Sequence, residues 1–520
     1  MTTRNTPLLA NWKCLLICAV MSMANCQYGF DTAAIAGFQA MVGFLEVFGY
    51  RDPKMPLGWN IQTQPQQLIS SFLNVGTIIG TLLTGPFAHR FGRKPAIGIA
   101  SLVSFVACAV QIASTRLGGL YAGRIILGLA NGFFITFSNV YTTEVAPPHL
   151  RGVLVSLFGL WVNIGSLLGA IADNYSQTHR DKLAYQIPLA SLFAIPAVIC
   201  VFIFFVPESP RWLLVQGRPD EARRALERLR AGSLSPELLE EEFVAMKRGI
   251  DEEKELAGSF VDMFKGTDLR RTVLCVGAIV SHAASGIWFI ISYGTFFFQV
   301  AGINKPFQMS ILSTMMGLIG VPVGMFLTQK VLGRRGMLMI GSGACAACML
   351  AIAVADTVAP GSRASGRALV GFSLMFNFFY NGFVGTVSWP VAGEVVSSRL
   401  RVVTMGLATG LNYFFNWLIS YCSPFFINEN NLNWGAKYGY IWAGANAIAF
   451  VFFFLFIPEM KGRTLEELDE MFQNRVSVRA FPSYQCVSSE RARETVLKEM
   501  GGLKEPAAIH AEVVRRVTTL

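Results

Sequence analysis

The sequence predicts an all-α membrane protein, with twelve transmembrane helices in two six-helix halves and short cytoplasmic helices between and after them. Three observations carry this. Of 520 residues, 53% are hydrophobic, 41 are Phe and only 15% are charged, with a mean hydropathy of +0.46, whereas soluble domains carry about 25% charge. Twelve stretches reach the roughly 20 apolar residues that a hydrocarbon core about 30 Å thick requires. Three charged signatures recur once in each half of the chain. So little polar surface excludes a disordered chain, a disulfide scaffold and a typical soluble enzyme. The net charge of +10 fits basic residues gathered at one membrane face and does not call for nucleic acid. Nine of the ten Cys lie in apolar stretches and only Cys486 in a polar tail, so Cys345-x-x-Cys348 reads as packing better than as redox chemistry.

The spans are read as 14–36, 67–88, 95–114, 119–141, 153–173, 186–206, 272–298, 308–329, 336–356, 368–393, 403–426 and 438–457. An even number puts both termini on one side. With that side as the cytosol, inside segments hold 33 of 43 Lys and Arg and outside segments nine, while Arg124 lies within a span. The resulting organisation is a cytoplasmic N-terminus (1–13), a first half (14–206), a helical linker (207–271), a second half (272–457) and a cytoplasmic tail (458–520). Arg4, Lys13 and Ala34-Ile35-Ala36 imitate a secretory signal, but the apolar stretch is too long for one and carries Asp31, which favours an uncleaved first span. Asn174-Tyr175-Ser176 is a glycosylation triplet that hugs the membrane. In the linker, Asp220 begins a helix with Ala222, Ala225, Leu226 and Leu229 on one face, and Ser235-Pro236 begins another. In the tail, Thr464 and Glu467 have capping-box spacing before Leu468 and Phe472. These segments read as braces of the inner face.

The duplication is written in charges. Gly92-Arg93-Lys94 corresponds to Gly333-Arg334-Arg335, Glu144 with Arg151 to Glu394 with Arg401, and Pro207-Glu208 to Pro458-Glu459. A six-span unit repeated in the same orientation puts a substrate site near the midplane between the halves. Arg90, Arg93, Glu144, Arg151, Glu208, Arg334, Arg335, Glu394, Arg401 and Glu459 form the expected cytoplasmic gate, whose pairs are expected to hold the halves together until rocking breaks them.

GPFAHRFGRK, GRIILGLANG, YTTEVAPPHLRG, PESPR and PEMKGRTLEELDEMF resemble, in order, the signature series of the sugar porter family within the major facilitator superfamily, over roughly residues 14 to 472. FYNGFVGTVSWPVAGEVVSSRLR and NLNWGAKYGYIWAG further resemble fungal members, particularly the α-glucoside permease-like branch. The resemblance implies the major facilitator architecture and solute transport.

Deep in the spans stand Asp31, Arg124 and the titratable His282. A charge near the bilayer centre costs about 2.5–3.5 kcal/mol on insertion scales, so neither Asp31 nor Arg124 is expected to face lipid. Asp31 precedes the outer end of its span and Arg124 follows the outer start of its own, each roughly 8 Å inside the edge. They read either as a static ion pair or as a proton-coupling pair, in which separation from Arg124 lets Asp31 take up a proton. The resemblance supports coupling, since proton-coupled sugar porters carry an acid at the GFDT position and an Arg opening the fourth-span motif. A membrane potential then contributes about 2.3 kcal/mol per charge per 100 mV.

His282 reads as a packing residue or as a cavity residue. Its neighbours Ser281, Ser285, Trp288, Ser292 and Tyr293 favour a cavity, which Trp389, Asn412 and Asn416 complete. The candidate substrate-binding set is therefore His282, Trp288, Tyr293, Trp389, Asn412 and Asn416. The family comparison also shows departures. The hexose-transporter-like members carry a Gln pair and an Asn where this chain has His282, Ala283 and Trp288, and their fifth-span Gln matches Gly159. Trp389 matches the tenth-span Trp, and Asn412 falls where a Gln is common. A disaccharide, polyol, quinate-like acid or less polar metabolite thus competes with a plain hexose. His89 and Lys330 stand where the family usually has Asp before its two basic turns, and His89 could make gating pH-sensitive.

GxxxG spacings at Gly76/Gly80, Gly128/Gly132, Gly165/Gly169, Gly320/Gly324 and Gly406/Gly410 read as packing within a monomeric bundle. No P-loop, metal-ligand cluster or nucleophile-base arrangement stands out, so no cofactor, no ATP and no enzymatic activity are expected. The expectation is a plasma-membrane secondary transporter that moves a sugar-like solute with protons by alternating access, both termini cytoplasmic. The alternatives are an exporter or facilitator of a fungal metabolite, or a nutrient sensor that does not transport.

Overall fold

The structure is a computed structural model that describes residues 11–53, 58–147, 150–256, 260–397, 399–428, 430–463, 465–484 and 486. Six spans form the first half: Trp12–Phe38, Thr63–Phe91, Arg93–Ala113, Leu117–Val145, Arg151–Ser176 and Leu183–Phe202. Six form the second: Gly266–Gln299, Pro306–Leu327, Gly333–Val358, Arg363–Val395, Arg401–Ile427 and Gly435–Phe456. They are referred to below as the first to twelfth spans. Length and apolarity alone select nine crossing helices among the described residues, or ten with the bent first one; the apolar run Pro306–Val358 holds two spans and Arg151–Ser176 completes the set. Large apolar side chains such as Phe204, Leu82, Val402 and Ile448 face outward, as a bilayer-embedded surface requires.

Several spans extend past the apolar stretches. The seventh starts at Gly266 although its apolar run starts at 272, because Asp268, Arg270 and Arg271 continue the helix beyond hydrocarbon. Hydropathy marks the lipid-embedded part of a helix and misses its polar extension. The first span bends by 78° into a short helix, Val42–Phe48, which leads to a two-residue β ladder joining Tyr50–Arg51 with Trp59–Asn60.

Glycines set how closely helices approach within each half. A methyl group on Gly76 would lie 2.2 Å from the Ile125 carbonyl oxygen, and one on Gly128 equally close to the Leu73 oxygen, so the second and fourth spans touch backbone to backbone. Gly165 against Cys26 and Gly29 against Val162 do the same for the first and fifth spans, and Gly320 and Gly324 for the eighth and tenth. Gly406 and Gly410 are the exception, with open space around them.

Two breaks shape the interior. Gly286, at φ +86°, divides the seventh span into Gly266–Ala284 and Ile287–Val300. The break frees the Ser285 carbonyl, and Asn446 of the twelfth span donates to it at 2.9 Å. In the tenth span a π-helical stretch, Tyr380–Gly385, inserts between Arg363–Phe379 and Thr386–Val395, a feature frequent at functional sites.

Beyond the sixth span lie helices Pro210–Val215, Pro219–Arg230 and Pro236–Leu256, and the tail contributes Leu465–Gln473. These match the expected linker and tail helices, while Thr464 of the capping box lies outside the described residues. Arg230 and Arg271 fasten these pieces in parallel fashion. Arg230 donates to the Val145 carbonyl and pairs with Glu242, and Arg271 donates to the Val395 carbonyl and pairs with Asp469. Each caps the C-terminal end of a span, the fourth and the tenth, where the helix dipole favours a cation.

Candidate functional site

The polar contacts between the halves lie toward the end of the bundle remote from the basic turns. Asn428 donates to Thr63 Oγ1 at 3.0 Å and Gln66 Oε1 at 2.8 Å, Asn431 donates to Thr63 at 2.6 Å, and Asn430 donates to Tyr50 OH at 2.8 Å. Deeper in, Asn74 donates to Ser420 Oγ at 3.1 Å and accepts from Asn416 at 3.2 Å, and Asn163 donates to Asn381 at 3.2 Å.

Within the first half, Arg124 Nη1 meets Asp31 Oδ1 at 2.5 Å, with both side chains at most 1% exposed. Arg124 Nε donates to the Ile69 carbonyl at 3.2 Å, which ties the pair to the second span. Asp31 Oδ2 and Arg124 Nη2 have no partner among the described residues, so the pair is short of hydrogen bonds as well as sealed.

Tyr28 stands one helical turn before Asp31, at i,i+3, on the same face. Its ring lies edge-on to Trp288 of the second half, with centroids 6.4 Å apart. His282 Nδ1 bonds Tyr380 OH at 2.5 Å, a contact made possible by the π stretch, and its ring sits 6.1 Å from Trp389. Tyr28 OH, Trp161 Nε1, His282 Nε2, Trp288 Nε1, Asn412 Oδ1 and both amide atoms of Asn131 are buried without a hydrogen-bond partner among the described residues. Buried polar groups are normally satisfied. These spans therefore hold hydrogen-bonding capacity that a polar ligand or water can fill, and Gly159 of the fifth span borders open space.

At the charged end each half builds the same lattice. Arg93 binds Glu144 bidentately at 3.0 and 2.7 Å, and Glu144 also accepts from Ser209 at 2.6 Å. Glu208 accepts from the backbone N–H groups of Arg93, Lys94 and Ser209. Burial pushes Glu208 above the usual carboxylate range, and those N–H groups oppose the shift. In the second half Arg334 meets Glu394 at 2.6 Å, and Glu459 accepts from the backbone of Arg334 and Arg335. Gly92 and Gly333, both at positive φ, leave no room for a side chain beside Glu208 and Glu459. Lys94 and Arg335 donate to the carbonyls of Phe204 and Phe454.

Residues 17–472 match the family described as Sugar (and other) transporter. The chain belongs to this family, a branch of the major facilitator superfamily. The transporter is 28% identical to the major facilitator-type transporter ecdD of Aspergillus rugulosus, over 90% of this chain and 89% of that one. It is 27% identical to the high-affinity fructose transporter ght6 of Schizosaccharomyces pombe, over 94% and 92%. Its fold is that of the inward open xylose transporter XylE of E. coli, with a TM-score of 0.72, 22% identity, and 88% of this chain and 99% of that chain covered. The transporter is thus a multi-pass membrane protein and not an enzyme.

The structure corrects several sequence-based expectations for the transporter. The gate pairs do not join the halves: Arg93–Glu144 lies within the first and Arg334–Glu394 within the second. Each Glu is nearest to the turn of its own repeat, and sequence spacing cannot distinguish a pair within a half from one across them. Arg90 lies over the Phe91 ring at 5.8 Å and makes no carboxylate contact among the described residues. Arg401 has Nε and one Nη buried and without a partner, and the side chain of Arg151 lies outside the described residues. Tyr293 is fully buried and donates to the Ser420 carbonyl at 2.6 Å, so its hydroxyl proton is spent within the second half. Asn416 is engaged with Asn74 across the halves. His282, Trp288, Trp389 and Asn412 retain the positions described above.

Sequence reasoning missed Tyr28, Asn131, Trp161 and Tyr380, each a polar-tipped residue within an apolar span, which was the available signal. It also missed Asp173, a carboxylate at the end of the fifth span that is 2% exposed.

Proposed function

We propose that this transporter moves a sugar-like solute across the plasma membrane together with protons, by alternating access, with the basic turns and both termini in the cytosol. The observation that carries the reading is that Asp31 and Tyr28 share one helical turn: the acid meets Arg124, and the phenol meets Trp288 of the other half. A solute that draws the halves together at Tyr28 shifts the helix that holds Asp31, so ligand binding and proton binding bear on one rigid element. The relative named for fructose and the neighbour named as a proton:xylose symporter agree with a sugar and a proton as cargo. The basic turns agree with a cytosolic face.

Alternating access is supported by the contact pattern. Polar contacts close the halves at the remote end, while the charged lattices stay separate at the other. Arg401, whose guanidinium edge has no partner among the described residues, is available to bridge to the first half when the inner mouth closes.

The test is reconstitution in liposomes with labelled sugars, polyols and acids while the internal pH is recorded. Solute entry that acidifies the lumen supports symport. Asp31→Asn is expected to abolish uphill accumulation and spare exchange; unchanged accumulation overturns the coupling role. A second reading, export or facilitated passage of a less polar metabolite, is favoured by the aromatic rings of Tyr380 and Trp389 around His282 and of Trp288 beside Tyr28. Preference for an aromatic or apolar solute in the same panel would select it.

A further inference from the structure

The first span faces two buried acids, and only one has a cation. Asp31 is held by Arg124. Asp173 comes from the fifth span and lies against Gly37, two turns beyond Asp31 on the first span, about 9 Å along the helix. A methyl group on Gly37 would sit 2.0 Å from Asp173 Oδ2, so the absence of a side chain there makes the seat for this carboxyl. Among the described residues, Asp173 Oδ1 is buried with no hydrogen-bond partner and no ion pair reaches the residue.

The elements packed on the fifth span offer no compensating charge. The first span presents Asp31, the fourth presents Arg124, already engaged with Asp31, and the sixth presents the phenol of Tyr185. The eighth span contributes no charged side chain beyond Lys305 at its exposed start, and the connector from His179 to Lys182 is exposed. The cysteines of Trp12–Ser22 lie at the opposite end of the first span. An ionised carboxylate in such a place forfeits its hydration and receives neither a cation nor a hydrogen-bond donor in return, whereas a carboxylic acid gives up far less.

We propose that Asp173 is a second proton-binding site, occupied while the first and fifth spans are closed on each other at Gly37 and emptied when they part and water reaches the carboxyl. The ligand is a single proton, bound as COO⁻ + H⁺ → COOH. Its role in transport rests on the proton-coupled reading above; its occupancy does not.

Infrared spectroscopy of the full-length protein in lipid at neutral pH tests the occupancy without any solute. The carbonyl stretch of a buried protonated acid is expected, shifted by ¹³C-aspartate labelling, lost in Asp173→Asn and retained in Asp31→Asn. Gly37→Ala keeps the acid and removes its seat, and is expected to shift or abolish the same band. Absence of an aspartate-sensitive band in the unaltered protein, which needs no variant to fold, overturns the proposal. So does a band that survives in Asp173→Asn. Either failure leaves the Asp31 coupling experiment untouched.

Discussion

At the charged end the two halves are near copies. Arg93 grips Glu144 while Glu208 collects the next backbone amides, and Arg334 grips Glu394 while Glu459 does the same. Within the spans the likeness stops. The first half buries the Asp31–Arg124 pair and the lone Asp173, whereas the second buries an imidazole between Tyr380 and Trp389 and breaks its seventh span at Gly286. Duplication has kept the residues that end helices and let the membrane-embedded ones diverge. The buried carboxylates and guanidinium stand in one half, and an imidazole among aromatic rings in the other.

Removing the cation from the first half is the strongest test of that division. Arg124→Ala leaves a buried carboxylate unpaired and is expected to destabilise the protein by about 3–5 kcal/mol, measured by denaturation in detergent. Adding Asp31→Asn is expected to recover much of the loss; equal losses in the single and double variants would mean the pair carries no electrostatic stabilisation. Next in size is close packing. Gly128→Leu drives a side chain into the second span and is expected to cost about 1–3 kcal/mol, while Gly406→Leu enters open space and is expected to change stability by less than about 0.5 kcal/mol. Similar effects at both positions would remove the contrast. The third expected loss belongs to the second half: Tyr380→Phe strips His282 Nδ1 of its partner and is expected to cost about 1 kcal/mol. That is roughly a fivefold loss of apparent solute affinity, read from uptake, with coupling intact. A loss of coupling instead would place proton chemistry in both halves.

Much of this was legible in the sequence, because lipid makes apolar length and misplaced charge costly. The spans followed from hydropathy, and Asp31 and Arg124 stood out as charges that no lipid-facing position would tolerate. The paired glycines were likewise visible and, except Gly406 and Gly410, make close helix contacts. What the sequence concealed was direction. It could not show that Glu144 turns to Arg93 of its own half, that Tyr293 spends its hydroxyl on Ser420, or that a π stretch carries Tyr380 to His282. Asp173 was hidden by its place at a span end, where an acid is ordinarily wet; only packing against Gly37 reveals that it is dry.

Among the described residues, the Asn428, Asn430 and Asn431 cluster reaches across to the first half through amides and hydroxyls. Such groups keep one charge state in any physiological medium. With this mouth facing outward, as proposed, its latch would hold with equal strength in an acidic or a neutral environment, and in dilute or concentrated salt. Sensitivity to surrounding acidity is then left to the carboxyls behind it, which the environment reaches only after the latch has opened.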